Sequence, residues 1–96
     1  MKSIPLKVVE YQVDGNKIKF DYRQQLISIL RSPMTPGAGM DFEEVRKAVA
    51  VLQKIHDADK SVELSDDEAK YVAERVKAVK WQIADQSVID FVEAII

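Results

Sequence analysis

The spacing of apolar residues changes along this chain from every second residue to every third or fourth residue. The alternating part surrounds Asp14-Gly15-Asn16, which is typical of a tight turn because Gly and Asn accept positive φ angles. The alternating apolar residues are Val9, Tyr11 and Val13 before the turn, and Ile18, Phe20 and Tyr22 after it. This pattern predicts a β-hairpin at about residues 6–20. Because two strands alone are marginally stable in water, the apolar face of the hairpin must pack on other elements.

The register of this hairpin is left open by the sequence. A turn centred on Asp14-Gly15 places Val9 opposite Phe20, whereas a turn centred on Gly15-Asn16 places Tyr11 opposite Phe20. Both registers gather the apolar residues on one face and the charged residues on the other. The sequence therefore predicts the hairpin but allows either pairing.

Helical spacing follows the hairpin for the rest of the chain. The periodicity predicts four helices, at about residues 22–31, 42–57, 66–83 and 87–95. Asp21, Asp41 and Ser65 stand at the N-cap positions of the first three, and Asp85 or Ser87 begins the fourth. A hairpin followed by helices predicts an α+β fold, and 96 residues predict a single domain spanning residues 1–96.

The second predicted helix carries a regular apolar stripe. Its members are Phe42, Val45, Val49, Leu52 and Ile55, separated by three, four, three and three residues. Residues at this spacing share one side of a helix, so we expect the whole stripe to face the core.

Composition excludes several kinds of active site. The chain has no cysteine, which rules out disulfides, thiolate zinc sites and cysteine nucleophiles. His56 is the one histidine, so a site built on two imidazoles from one chain is also excluded. Its position in the last turn of a predicted helix is explained by the favourable interaction of its cationic form with the helix dipole. We therefore expect no enzymatic activity, no cofactor and no metal.

The segment 57–68 has the length of a calcium-binding loop between two helices. Oxygen-bearing side chains occupy positions 1, 3, 5, 9 and 12 of this segment, as in an EF-hand. The sixth position, however, holds Val62 where an EF-hand needs glycine for a sharp turn. Ser65-Asp66-Asp67-Glu68 is equally well explained as a capping box. A calcium-binding helix-loop-helix is therefore the weakest of the functional alternatives.

Basic residues are concentrated near the predicted hairpin. Residues 1–40 carry six basic and three acidic residues, whereas residues 41–96 carry eight basic and thirteen acidic ones. The basic candidates for contact with nucleic acid are Lys7, Lys17, Lys19 and Arg23. Their charge excess is small for a nucleic-acid-binding surface. The third helix also begins with Asp66-Asp67-Glu68, which would repel phosphates. A nucleic-acid-associated regulator is thus an alternative function that the charge pattern argues against.

Several apolar or flexible features instead favour contact with a protein. The candidate contact residues are Met34, Trp81, Phe91 and Ile95. Met34 lies in the Pro/Gly-rich segment 32–39, Trp81 lies late in the third predicted helix, and Phe91 and Ile95 lie near the apolar end of the chain. The partner would be another protein or a second copy of the chain. No apolar run reaches the length of a membrane-spanning helix, and the first residues lack a signal-peptide core. We therefore expect a cytoplasmic protein without a membrane partner.

The order of these features resembles a group of phage proteins. After the hairpin come Asp21-Tyr22-Arg23, Ser32-Pro33, Met40-Asp41-Phe42-Glu43-Glu44 and Trp81-Gln82-Ile83-Ala84-Asp85. In this order they resemble small uncharacterised accessory proteins of tailed bacteriophages and prophages. The resemblance implies an accessory, assembly or host-modulating role in the bacterial cytoplasm, and it assigns no site residues.

Overall fold

A computed structural model describes residues 2–32, 39–81 and 84–96, and within these ranges the chain forms four strands and four helices. In chain order they are β1 (Lys2–Pro5), β2 (Val8–Val13), β3 (Asn16–Asp21), α1 (Tyr22–Arg31), α2 (Phe42–Asp57), β4 (Ser61–Leu64), α3 (Asp66–Lys77) and α4 (Gln86–Ile95). A hairpin near the N-terminus followed by helices confirms the predicted α+β fold class.

The predicted hairpin is the antiparallel pair β2–β3. Val9 lies opposite Phe20, and the strands are joined by Asp14 at φ 51° and Gly15 at φ 80°. Two successive residues with positive φ match the right-handed twist of the flanking strands. The structure thus selects the turn centred on Asp14-Gly15 from the two registers that the sequence allowed.

A second antiparallel pair joins β1 to β4 and was not predicted from the sequence. Ile4 lies opposite Val62, and both side chains are buried together with Leu64. Ser61 and Glu63, which alternate with the buried residues of β4, are exposed, as expected for a strand with one face on the core. This pairing brings the first strand against a segment that lies between α2 and α3.

The two pairs of strands meet at residues 6 and 7. The amide of Leu6 donates to the carbonyl oxygen of Lys60 (2.8 Å), which extends the β1–β4 pairing. The carbonyl oxygen of Lys7 accepts from the amide of Tyr22 (2.9 Å), which extends the β2–β3 pairing. Residues 2–13 therefore pair with β4 along their first part and with β3 along their second part.

Side-chain caps fix where the helices begin. Asp21, Asp41, Ser65 and Asp85 each accept a backbone N–H of the first helical turn. The structure gives α1 and α2 their predicted bounds, but α3 ends at Lys77 and not near residue 83. There the amide of Val79 donates to the carbonyl oxygen of Val76 (3.2 Å), a tighter i→i+3 turn that closes the helix.

The core lies where the helices meet the inner faces of both strand pairs. Its centre is aromatic: the Phe91 ring packs edge to face against Tyr22 (centroids 4.9 Å apart), Phe20 (5.4 Å) and Trp81 (5.9 Å). Aliphatic side chains from β1, β4 and all four helices surround these rings. Every helix in the described ranges falls short of the length and apolarity needed to cross a bilayer.

Candidate functional site

The apolar stripe predicted for α2 does not face the core as a whole. Phe42 is 72% exposed, Val49 is 52% exposed and Val45 is 39% exposed. The buried residues of α2 are instead Ala48, Val51 and Ile55. The expectation of one buried stripe is therefore wrong, because the helix carries two apolar stripes and only the second packs inward. We call the exposed stripe, Phe42, Val45 and Val49, the α2 outer face.

The α2 outer face extends along the helix and is bordered by charge. Together with the half-buried Leu52, its residues are spaced by three, four and three positions and span about 15 Å of helix. The Arg46 guanidinium lies 5.8 Å from the centroid of the Phe42 ring, and its Nη1 is 3.7 Å from a carboxylate oxygen of Glu43. Phe42 is thus an exposed aromatic ring with an arginine beside it.

A buried arginine of α3 fixes the N-terminal end of α2. Arg75 donates to the carbonyl oxygens of Ile29 (2.7 Å) and Ser32, both at the end of α1. It also donates to the Tyr71 hydroxyl (3.0 Å) and to Oε1 of Glu44 in the first turn of α2 (3.2 Å). Its side chain is almost fully buried. One guanidinium therefore holds the end of α1 and the start of α2 on the same side of α3.

A second arginine fixes the C-terminal end of α2. Arg23 donates to the carbonyl oxygens of Ile55, Ala58 (2.6 Å) and Asp59 (2.7 Å). These contacts supply donors to carbonyl groups near the end of α2, where helical partners run out. Arg23 was a candidate for binding nucleic acid, and in the structure its guanidinium donates to backbone carbonyls.

The candidate lysines lie on or next to the hairpin. The Nζ atom of Lys7 is 5.4 Å from the centroid of the buried Tyr22 ring, so its charge contacts an aromatic face. Lys17 and Lys19 are exposed on β3, and Lys19 lies opposite Glu10 in the register. Because the Arg23 guanidinium donates to backbone carbonyls, fewer of its N–H groups remain for phosphates than the sequence indicates.

The candidate contact residues near the end of the chain lie in the core. Phe91 and Ile95 are fully or almost fully buried, which corrects their assignment to a contact surface. The physical reason is that α4 turns these residues inward and leaves Ile89 exposed. Trp81 is half-buried against Phe20 and Phe91, and Met34 lies outside the described residues.

The segment 57–68 does not fold as a calcium loop. Its middle is strand β4, whose Val62 and Leu64 point into the core. Oε1 of Glu68 accepts the Ser65 amide (2.9 Å) and the Lys54 ammonium (2.6 Å). The hydrogen bond from Lys54 is the main reason why the pKa of Glu68 is lowered. Within the described ranges, His, Asp and Glu residues form no group of three that could hold a metal ion.

An open groove of about 520 Å³ separates α2 from α3 on another side of α2. Its lining residues are Lys47, Ala50, Val51, Asp67, Glu68, Lys70, Tyr71 and Glu74. The lining contains both carboxylates and ammonium groups, so the groove favours no single ligand charge. His56, the one imidazole, lies outside it with an exposed side chain 3.2 Å from Asp57.

Comparisons with known proteins give no relative from which to transfer a function. The chain matches no protein-family model, and neither the curated proteins nor the solved structures contain a significant match. The resemblance to phage accessory proteins therefore stays a prediction.

Proposed function

We propose that this chain is a small non-enzymatic protein–protein interaction module that binds through the α2 outer face. The observation that carries the proposal is the 72% exposure of Phe42 in line with the exposed Val45 and Val49. Burying a large apolar side chain contributes about 1.5–3 kcal/mol, so an exposed phenylalanine is a strong anchor for a partner. An accessory, assembly or host-modulating role in a bacteriophage is the setting that the sequence resemblance implies for such a module.

The contacts of α2 support a rigid surface. Arg75 holds the first turn of α2 through Glu44, and Arg23 holds the end of the helix through backbone carbonyls. The adjacent side of α2 is buried through Ala48, Val51 and Ile55. Because the helix is fixed at both ends and along its inner side, a partner would bind a preformed face with little ordering cost.

The residues beside Phe42 also suit a protein interface. Aromatic residues and arginine are enriched at the centres of interfaces, whereas lysine and glutamate are depleted there. Phe42 and Arg46 form such a pair on adjacent turns of one helix. We expect Phe42 to be the central contact, with Val45 and Val49 extending it along the helix.

Site-specific photocrosslinking tests this proposal. We would replace Phe42 by the photoreactive residue p-benzoylphenylalanine and irradiate cells that produce the protein. The matched control carries the same residue in place of Ile89, which is 49% exposed on α4. We expect covalent adducts from position 42 and few from position 89. The absence of adducts at position 42, or equal adducts at both positions, would contradict the proposal.

A further inference from the structure

We infer that the occupant of the α2 outer face is the same face of a second copy, with the two α2 helices antiparallel. This inference rests on the proposed function and names the partner. The apolar residues of this side of α2 are separated by three, four and three positions: Phe42, Val45, Val49 and Leu52. Apolar residues at this spacing form the seam along which helices pair in coiled coils.

The shape of the surface suits a single helix. The three exposed residues and the half-buried Leu52 lie along about 15 Å of one α-helix and form a convex ridge, not a pocket. Two identical ridges can pack side by side with their side chains interdigitated. In such a pair, Val45 of one copy lies near Leu52 of the other, and Val49 lies near the two-fold axis.

The polar side chains at the two ends of the seam favour the antiparallel orientation. Asp41 caps the start of α2, and His56 lies in its last turn, on the same side as the outer face. An antiparallel pair brings Asp41 of each copy near His56 of the other, and also opposes the two helix dipoles. A parallel pair would instead place Asp41 beside Asp41 and His56 beside His56. The flanking Arg46 would lie near Gln53 of the other copy in the antiparallel pair, where it can donate to the amide oxygen.

The size of the surface indicates a weak, reversible dimer. A stable interface buries about 800 Å² on each partner, and one helical ridge of this length offers less. Each copy also has its own buried core, so it does not need the partner in order to fold. We therefore expect the dissociation constant of the dimer to lie in the micromolar to millimolar range.

Sedimentation of the purified chain measures the association. The apparent mass should rise with protein concentration toward that of a dimer. Phe42→Glu should weaken the dimer at least tenfold, whereas the control Ile89→Glu should leave it unchanged. Circular dichroism checks that both variants keep their fold, as expected for changes at exposed positions. A chain that stays monomeric up to millimolar concentration would overturn the inference.

Crosslinking between single-cysteine variants measures the orientation, since the natural chain has no cysteine. With a short bis-maleimide reagent, Val49→Cys should crosslink to itself because it lies near the axis. Phe42→Cys alone and His56→Cys alone should not crosslink. In an antiparallel pair, each of these positions lies about 20 Å along the helix from the same position in the other copy. A mixture of these two variants should crosslink. Self-crosslinking of both Phe42→Cys and His56→Cys would overturn the antiparallel arrangement.

The two proposals can fail separately. If position 42 forms adducts with a different protein in cells while the purified chain remains monomeric, the second copy is the wrong occupant and the interaction module stands. If position 42 forms no adducts and the chain is monomeric, both proposals fail.

Discussion

Replacing Arg75 by methionine is expected to destabilise the folded chain by about 3 kcal/mol. The guanidinium is the donor to four acceptors: the carbonyl oxygens of Ile29 and Ser32, the Tyr71 hydroxyl and the Glu44 carboxylate. Methionine keeps a flexible apolar stem of similar length but has no donor. The variant therefore isolates the contribution of the charged hydrogen bonds from that of packing.

The magnitude follows from how well water can replace the lost donor. Hydrogen bonds to charged groups contribute about 1.5–3 kcal/mol each. The sum over the four bonds of Arg75 is therefore an upper limit on the loss of stability, and the expected loss lies below it. Ser32 is exposed and the Glu44 side chain is 28% exposed, so these two acceptors can be rehydrated. Removal of the guanidinium also removes the desolvation penalty of burying it. The expected loss thus lies at the low end of the range of about 3–5 kcal/mol for breaking a buried ion pair.

Urea unfolding followed by circular dichroism measures this loss. For a domain of this size, 3 kcal/mol corresponds to a fall in melting temperature of roughly 12–24 °C. Arg75→Lys, which keeps the charge but not the planar fork, should lose less, and Glu44→Gln should lose less still. A loss below about 1 kcal/mol for Arg75→Met would refute the assignment of this residue as the contact that joins α1, α2 and α3.

Three further substitutions test other contacts. Arg23→Met should lower the unfolding free energy by about 1–2 kcal/mol, measured by thermal unfolding at pH 7, because the carbonyls of Ile55, Ala58 and Asp59 at and beyond the end of α2 lose their donor. Glu68→Gln should lower stability at neutral pH. The pKa of Glu68 is lowered from 4.5 by the hydrogen bond from Lys54, so its stabilisation is complete above the unfolded pKa and is lost as pH falls through the lower folded pKa. Unfolding curves from neutral to acidic pH should therefore converge for the two proteins. Gly15→Ala should cost about 1 kcal/mol, since its φ of 80° strains a residue with a Cβ atom, and amide hydrogen exchange should quicken in the hairpin.

The Arg23 and Gly15 predictions have matched control variants, and all three predictions have an opposing result. Arg31→Met removes an exposed arginine from the last turn of α1 and should change stability little. An equal effect of both arginine variants would contradict the special role of Arg23. A difference between wild type and Glu68→Gln that persists unchanged in acid would contradict the carboxylate as its source. Gly15→Asn should be milder than Gly15→Ala, because asparagine tolerates positive φ, and the reverse order would contradict the turn geometry.

Local chemistry allowed most elements to be predicted from the sequence. Turns and helix caps depend on interactions between residues that are close in sequence, as at Asp14-Gly15 and at the N-caps Asp21, Asp41 and Ser65. The strand β4 was missed because its partner lies far away in sequence, and its four residues were explained just as well as a loop between helices. The early end of α3 at Lys77 was also missed, since apolar spacing continued past that residue.

The candidate site was harder to predict because periodicity does not say which side of a helix faces water. In α2 the two apolar stripes overlap, and the smaller residues Ala48 and Val51 pack inward while Phe42 stays outside. In α4 the same ambiguity placed Phe91 on the surface, although the structure buries it. No sequence signal distinguished Arg75 from the other arginines, since its role depends on carbonyl groups more than forty residues away.

The pairing of β1 with β4 has a consequence for how the chain folds as it is synthesised. The β2–β3 hairpin can close as soon as Asp21 has been made, but Lys2 must wait for Leu64. Closing a loop of that length is slow compared with forming a hairpin. During this interval the apolar Ile4 and the backbone groups of β1 have no native partner. The arrival of β4 therefore sets the moment when β1 can pair, and the ribosome-bound chain is most prone to mispairing of this strand just before that point. The core itself is completed later, when α3 and α4 have been made.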